Sequence, residues 1–213
     1  MIRQCFLCKT DVEVMFSTPW ALPGLPTTEI GFSVCPSCGS ACQSPSVSFD
    51  DMMKFYQSVA VYTNPGRGEQ PSDAKVRDLD EQIQFIKRGM GDLPQSVLQI
   101  GSSDGYTLSR YEKAGIPEVL GVEPGEASVA IAKRLYGIDC LLSCAEDFET
   151  NKPYELILLT HVLEHLFDPQ MVLKKCRGIQ GSLPEGFIYV EVPLLAHVDS
   201  LCPGFFSFEH INY

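Results

Sequence analysis

Ser96–Arg110, SVLQIGSSDGYTLSR, restricts the possible folds of this chain more than any other stretch. Val97, Leu98 and Ile100 form a short apolar run closed by a turn, the pattern of a buried strand. Gly101 and Gly105 bracket the loop that follows, and Thr107–Lys113 suits the start of a helix. A strand that turns sharply through glycines into a helix bares backbone N–H groups at a positive helix end, a cradle for a nucleotide-like ligand. Glycine serves there because the turn needs unusual φ/ψ and because a Cβ would hold a ligand off. Two glycines alone are equally compatible with an ordinary strand-to-helix turn, so the neighbouring segments decide.

Those neighbours repeat the pattern. Val119–Val122 is a second short apolar run and ends in Glu123, 18 residues past Gly105. A carboxylate at that strand tip is placed to accept hydrogen bonds from both hydroxyls of a ribose. LLSCAEDF over Leu141–Phe148, YELILLT over Tyr154–Thr160 followed by HVLEHL, and GFIYVEVP over Gly186–Pro193 continue the series. Strands alternating with helical stretches imply parallel βαβ units and an α/β, doubly wound, mostly parallel Rossmann-like sheet. GSSDG is not GxGxxG, which weakens a nicotinamide dinucleotide as the ligand.

Over roughly Asp92–Tyr213 the chain resembles the class I S-adenosylmethionine-dependent methyltransferases. QIGSSDGYTL is similar to their first glycine motif, GVEP to the acidic second strand, CAEDF to the adenine-side segment and LTHVLEHLFDP to the segment after the fourth strand. The resemblance implies a cofactor site built from Gln99, Gly101, Ser102, Ser103, Asp104, Gly105, Glu123, Pro124, Ala145, Glu146, Asp147 and His161, with His161 bordering the methionine portion. Gln99 stands where the family usually has Glu or Asp, and Asp104 is then a candidate for part of that carboxylate's work. Tyr62 resembles a tyrosine that closes over the cofactor in relatives; interdomain packing is the plainer reading of it.

Nine cysteines are many for a chain without a signal-peptide core or an apolar run of 18 residues. These absences lead to the expectation of a cytoplasmic protein with no membrane partner. Cys5-Phe-Leu-Cys8 and Cys35-Pro-Ser-Cys38 form two CxxC knuckles with 26 residues between them. Each knuckle aims two thiolates at one ion, and together they complete a closed Cys₄ site, for which structural Zn²⁺ is the expected occupant. Disulfides, disfavoured in a cytosol, and chance are the alternatives. Cys42 reads as spare, and Cys140, Cys144, Cys176 and Cys202 as small core residues. The net charge of −11 argues against a nucleic-acid partner, because phosphate binding leans on Lys and Arg. Lys87–Arg88, Lys133–Arg134 and Lys174–Lys175 are scattered pairs suited to solvated helix faces.

The knuckle spacing predicts a zinc-binding domain over 1–62 and the composition a linker and helix over 63–90, and the resemblance implies the methyltransferase domain over 91–213. Pro19, Pro23, Pro26 and Gly24 suggest an extended loop between the knuckles. Phe49–Tyr62 reads as a short helix capped by Asp50 or Asp51. Val76, Leu79, Ile83 and Ile86 give Asp73–Lys87 a helical apolar face, expected against the edge of the sheet.

Knuckles followed by a methyltransferase domain resemble the sugar C-methyltransferases, which act on carbon 3 of nucleotide-linked 4-keto-deoxysugars. FEHINY, Phe208–Tyr213, is similar to that family's EH motif, although Ser207 stands where a Tyr is common. Family members continue into a C-terminal substrate domain, so the sixth and seventh strands are expected either to lie outside this sequence, as for a fragment, or to be missing from an unusually short protein. The resemblance implies His210 as the base that forms an enolate, Glu209 as its support, and His165 as a residue facing the acceptor or merely packing. The partner is then a small-molecule acceptor, a nucleotide sugar. His161 and His165 lie i, i+4 on an expected helix, but HVLEH is not the metalloprotease HExxH. An O- or N-methyltransferase, and a non-catalytic binding module with the same fold, stay open as other function classes.

Overall fold

The structure, a computed structural model, describes residues 2–20, 28–44, 48–58 and 71–193. Tyr62, Cys202, Glu209 and His210 lie outside the described residues. The N-terminal region is built of two small antiparallel units. β1 (Ile2–Gln4) and β2 (Asp11–Glu13) pair as a hairpin whose turn carries Cys5 and Cys8. β3 (Phe16–Trp20), β4 (Thr28–Val34) and β5 (Ala41–Ser44) form a three-stranded sheet in that order, and the β4–β5 turn carries Cys35 and Cys38. Pro19 was expected in an extended loop; it lies within β3, opposite Glu29. β3 is the edge strand, where a missing N–H is tolerated.

α1 (Phe49–Ser58) is capped by Ser48 instead of Asp50 or Asp51. The Ser48 hydroxyl oxygen accepts from the Asp51 N–H at 3.1 Å, and that hydroxyl donates to Asp51 Oδ2 at 2.8 Å, so the cap is fixed by the first-turn carboxylate. α2 (Asp73–Met90) starts on a Ser72 cap and ends at Gly91.

A five-stranded parallel sheet follows: β6 (Ser96–Ile100), β7 (Glu118–Glu123), β8 (Cys140–Leu142), β9 (Leu156–Thr160) and β10 (Phe187–Glu191), in the order β10-β9-β6-β7-β8. Between the strands lie α3 (Tyr106–Lys113), α4 (Glu126–Ile131) running into a π-helical turn at Ala132–Tyr136, and α5 (Pro169–Ile179). Alternate residues of the central strands feed two cores. Leu98, Ile100, Ile157 and Leu159 pack with Val172 and Cys176 of α5, whereas Val97, Leu156 and Leu158 pack with Ile83 and Ile86 of α2 and Leu108 and Tyr111 of α3. Both faces are covered, which is why these strands are near-continuous apolar runs. α2 thus packs on a face of the sheet, over β6 and β9 and out to the edge strand β10, whose Tyr189 ring meets Phe85. From β6 the chain builds β7 and β8 on one side, then crosses to β9 and β10 on the other. The order reverses between β6 and β9, and ligands of such sheets bind above that reversal, at the carboxyl ends of the strands.

Candidate functional site

Two sites emerge, one in each region. At the knuckles, the turns have matching backbones. Cys5 N–H donates to Thr10 O at 2.8 Å and Lys9 N–H to Cys5 O at 3.0 Å; Cys35 N–H donates to Ser40 O at 2.8 Å and Gly39 N–H to Cys35 O at 2.9 Å. The residue after each knuckle is left-handed, Lys9 at φ 62° and Gly39 at φ 78°. The turns bring the four sulfur atoms within 4.8 Å of one another. Cys5 Sγ is 3.6 Å from Cys38 Sγ, and Cys8 Sγ is 3.4 Å from Cys35 Sγ. Sulfurs around a tetrahedral zinc lie about 3.8 Å apart for Zn–S bonds near 2.3 Å, so the donor set and its spacing fit that ion. Burial raises the Cys5 thiol, but the backbone N–H groups of Cys8 and Leu7 and the Ser40 hydroxyl outweigh it and bring it down to about 6. Burial pushes Cys35 up to about 11. A divalent cation is what allows all four to ionise together.

The second site is a cleft of about 400 Å³ over the strand ends. Ile100, Gly101 and Ser103 enter it from β6, Glu123 and Pro124 from β7, Ala145 and Glu146 after β8, and Thr160, His161 and Val162 after β9. Gly101, at φ +70°, and Gly105, at φ +75°, bracket the first loop. A Cβ on Gly101 would meet Val162 Cγ2 at 2.4 Å, and one on Gly105 would meet Ala132 Cβ at 2.7 Å. The glycines are therefore required by packing of the protein on itself as well as by conformation. Lys9, Ser103 and His161 are the non-glycine residues with positive φ among those described, one at the knuckles and two at the cleft. Backbone strain of this kind, of order 1–3 kcal/mol per residue, collects at ligand sites.

Glu123 is 6% exposed and held from both sides: Ser103 N–H donates to Oε2 at 2.8 Å and Gly125 N–H to Oε1 at 3.0 Å. The carboxylate is fixed at the tip of β7 and faces the cleft. Glu146 accepts from Phe167 N–H at 3.3 Å, and burial raises its carboxyl above the ordinary value. Lys175, from α5, donates to the carbonyls of Glu146 and Phe148 and braces the loop from behind. Gln99 Oε1 and Thr160 Oγ1 are buried acceptors without a hydrogen-bond partner among the described residues. The charged or titratable side chains lining the cleft are Tyr56, Glu123, Cys144, Glu146, His161 and His165, with the Cys144 thiol pushed up to about 11 by burial; neither Lys nor Arg is among the described lining residues.

Of the residues expected here, Gly101, Ser103, Glu123, Pro124, Ala145, Glu146, His161 and His165 line the cleft. Gln99 does not line the cleft but is buried within β6 beneath it, and Ser102 is buried against Cys140, with Oγ and Sγ 3.4 Å apart. Asp104 accepts from Tyr106 N–H at 3.1 Å, Gly105 caps α3, and Asp147 accepts from the Cys144 thiol at 3.2 Å. The helix expected over HVLEHL is only a 3₁₀ turn at Leu163–His165. His161 precedes it at φ 53°, a conformation that cannot continue a right-handed helix. Its ring has Glu191 Oε1 at 3.3 Å from Nε2 and Glu164 Oε1 at 3.7 Å from Nδ1; Glu164 first, and then the charge of both carboxylates, raises its pKa above 6.5 against the opposing effect of burial.

Sequence reasoning missed Met53 and Tyr56 of α1, which line the cleft. Their i, i+3 spacing beside the buried Met52 and Phe55 was the available signal. It also missed the polar network behind His161, where Glu191 Oε2 accepts from Gln82 Nε2 at 3.2 Å and from the Tyr189 hydroxyl at 2.7 Å, and the Tyr111 hydroxyl donates to Gln82 Oε1 at 2.9 Å.

Residues 73–213 match a family model described as a methyltransferase domain. The chain belongs to that family. This methyltransferase domain is 27% identical over 132 residues to the ubiquinone biosynthesis O-methyltransferase of Bradyrhizobium diazoefficiens, across 60% of this chain and 50% of that protein. Among solved structures, a SAM-bound amino pentose methyltransferase of calicheamicin biosynthesis from Micromonospora echinaspora shares 19% identity with a TM-score of 0.52, over 68% of this chain and 60% of that one. A sugar N-methyltransferase from Streptoalloteichus sp. shares 21% identity with a TM-score of 0.51, over 76% of this chain and 62% of that one. These two likenesses are of fold. The chain spans about half the length of the curated relatives it matches. Among the described residues, no helix is long and apolar enough to cross a membrane.

Proposed function

We propose that the chain binds S-adenosylmethionine in the cleft and transfers its methyl group to a small molecule, a nucleotide-linked 4-keto-deoxysugar methylated on carbon being the acceptor favoured by the knuckles and the FEHINY segment. The observation that carries the reading is the chemistry of the cleft. It lies at the order reversal of the sheet, offers buried acceptors and carboxylates, and has no Lys or Arg among its described lining residues. A phosphate-bearing cofactor would meet Glu123 and Glu146 uncompensated, whereas a ligand carrying a sulfonium and an ammonium suits them.

The donor supplies a methyl group already activated by its positive sulfur, so the protein's work is mainly placement. Glu123, immobilised by two backbone N–H groups, accepts from the ribose hydroxyls. Gln99 Oε1 and Thr160 Oγ1 are the acceptors for the ammonium, Ala145 and Glu146 border the adenine, and His161 flanks the methionine end. Ser102, Asp104, Gly105 and Asp147 hold the loops in shape. Tyr62 closing the cleft, His210 as the enolate-forming base and Glu209 as its support stay part of the proposal outside the described residues. The four thiols hold one structural zinc. The division into 1–62, 63–90 and 91–213 is retained, with α1 as the part of the first segment that reaches the cleft.

Calorimetry with S-adenosylmethionine on the whole chain tests the reading, and no heat of binding overturns it. Glu123→Ala is expected to weaken binding by ~1.5–3 kcal/mol, the range for hydrogen bonds to a charged group, or roughly ten- to a hundredfold. Unchanged affinity removes Glu123 from the site. Methylation on carbon requires exchange of the acceptor's acidic proton in heavy water, tested on a nucleotide-linked 4-keto-deoxysugar. Methyl transfer without that exchange moves the reading to O- or N-methylation.

A further inference from the structure

Glu164 is a carboxylate at 6% exposure, and neither of its oxygens has a hydrogen-bond partner among the described residues. A carboxylate buried this deeply needs a counter-charge. The groups within ion-pair reach of Oε1 are two imidazoles, His161 Nδ1 at 3.7 Å and His165 Nε2 at 3.9 Å. His161 is half exposed and faces a second carboxylate, Glu191. His165 differs: it is only 18% exposed, and its other nitrogen, Nδ1, is 3.2 Å from the Tyr56 hydroxyl. The rings of Tyr56 and His165 meet edge to face at 6.4 Å, and both line the cleft. A hydroxyl, an imidazole and a buried carboxylate therefore stand in sequence at the cleft wall. The hydroxyl comes from α1, ahead of the segment that matches the methyltransferase family.

We propose that Tyr56, His165 and Glu164 form a proton relay for the acceptor, with Tyr56 presenting the hydroxyl, His165 storing the proton and Glu164 acting as the positioning residue. The proposal rests on the methyl-transfer reading of the cleft. Glu164 holds His165 as the Nε2–H tautomer, which leaves Nδ1 as an acceptor for the Tyr56 O–H. Tyr56 Oη takes the proton that the acceptor loses while its own phenolic proton passes to His165 Nδ1. Tyr56 ends unchanged, the electron pair stays on the acceptor atom that is to be methylated, and Glu164 pairs with the imidazolium formed. The arrangement follows the logic by which a base oriented by a carboxylate activates a hydroxyl. It suits O- or N-methylation, in which the acceptor's hydroxyl or ammonium sheds its proton and His210 is not needed as an enolate-forming base. The other titratable groups around His165 are His161 on the same segment and Glu123 and Glu146 across the cleft.

Nitrogen-15 histidine spectra of the whole chain, recorded from about pH 5 to 9 without and with S-adenosylhomocysteine, test the relay. The wild type is expected to show His165 as the Nε2–H tautomer at neutral pH. Tyr56→Phe keeps the ring contact and removes the O–H, so the His165 Nδ1 resonance moves and that of His161 does not. Glu164→Gln lowers the proton affinity of His165 by at least roughly tenfold, through loss of the neighbouring charge. A His165 in the Nδ1–H form, or one whose resonances ignore Tyr56→Phe, overturns the relay. If Glu164→Gln does not fold, the Tyr56→Phe spectrum decides alone. Calorimetry with S-adenosylmethionine separates the two levels. A wild type that does not bind it removes the methyl-transfer reading and the relay with it, whereas binding retained alongside the wrong tautomer removes only the relay.

Discussion

Around β6 and β9, Leu98, Ile100, Ile157 and Leu158 are at most 1% exposed and are packed by helices on both faces of the sheet. Around the knuckles, the buried cluster is Cys5, Val12, Cys35 and Cys42, with Phe6 packed against it. Leu7, Met15, Phe16 and Val34 of that region stay about half exposed or more. Burying one large aliphatic side chain stabilises by about 1.5–3 kcal/mol. The sheet has many such side chains, and the knuckle cluster has one valine and three thiols. The same chain thus relies on apolar burial where strands and helices form layers, and on the proposed reading of its four thiols adds a bound zinc where the buried apolar set is small.

The strongest way to break this comparison is to remove the metal. Zinc bound to four thiolates contributes an apparent ~10–16 kcal/mol in small metal-folded modules. Chelation, or Cys35→Ser, is expected to abolish amide protection over β1–β5 while the protection of β6 and β9 persists. About one zinc per chain should appear on release. Equal protection of the knuckle region with and without chelator would show that its small core suffices. The opposite perturbation is Ile157→Ala, which empties a site at 0% exposure. It should lower global stability by about 2–5 kcal/mol in urea unfolding and leave the zinc content unchanged. A variant that loses zinc in parallel would show that the regions unfold as one unit; one contact between them, from Gln170 Nε2 to Leu7 O and 2.9 Å long, is exposed.

The two regions were also legible in the sequence to different degrees. Strands buried on both faces are written as continuous apolar runs, so β6, β7, β9 and β10 stand within a residue or two of where YELILLT and its companions place them. The knuckles are legible because four thiols at fixed spacing have few other uses. What the sequence hides is set by contacts between distant segments. Gly101 is a glycine because Val162 packs onto it, Gly105 because Ala132 does, and neither partner is readable from the loop. The left-handed His161 ends a helix that apolar spacing predicts. Tyr56 reaches the cleft only because α1 folds back against His165 and Phe167.

Gly101→Ala sharpens the point at the cleft. The new Cβ would sit 2.4 Å from Val162 Cγ2, in a conformation that L side chains rarely adopt. The backbone alone accounts for about 1–3 kcal/mol of destabilisation, and binding of S-adenosylmethionine is expected to weaken as the loop shifts. Val162→Ala in the same chain should restore the steric share and leave the conformational one, so a double-mutant cycle in urea separates them. Full additivity of the two substitutions would mean that Val162 moves aside freely.

The smallest effect belongs to His161, and its sign distinguishes it from apolar packing. The ring lies between Glu164 and Glu191, and its folded pKa is raised above 6.5. A group raised on folding binds its proton more tightly in the native state, so its stabilisation is complete below about pH 6.5 and is lost as pH rises through the folded value. Glu164 works in the other direction: burial raises its carboxyl, the neighbouring His161 imidazole and the charge of both histidines outweigh that, and the net lowering gives stability present above about pH 4.5 and lost on acidification. The His161 side chain is 54% exposed, so solvent screens the pair and the expected contribution is a fraction of roughly 1 kcal/mol. Urea midpoints of the wild type and His161→Gln should therefore differ most near pH 5.5–6, converge towards about pH 8.5, and differ less in high salt. A difference that stays constant with pH would mean that His161 acts by packing and carries no charge. The apolar sheet predicts no such slope: Ile157→Ala should depress the midpoint equally at both ends of that range, because burial holds the titratable members of its cluster, Tyr154 and Cys176, above it.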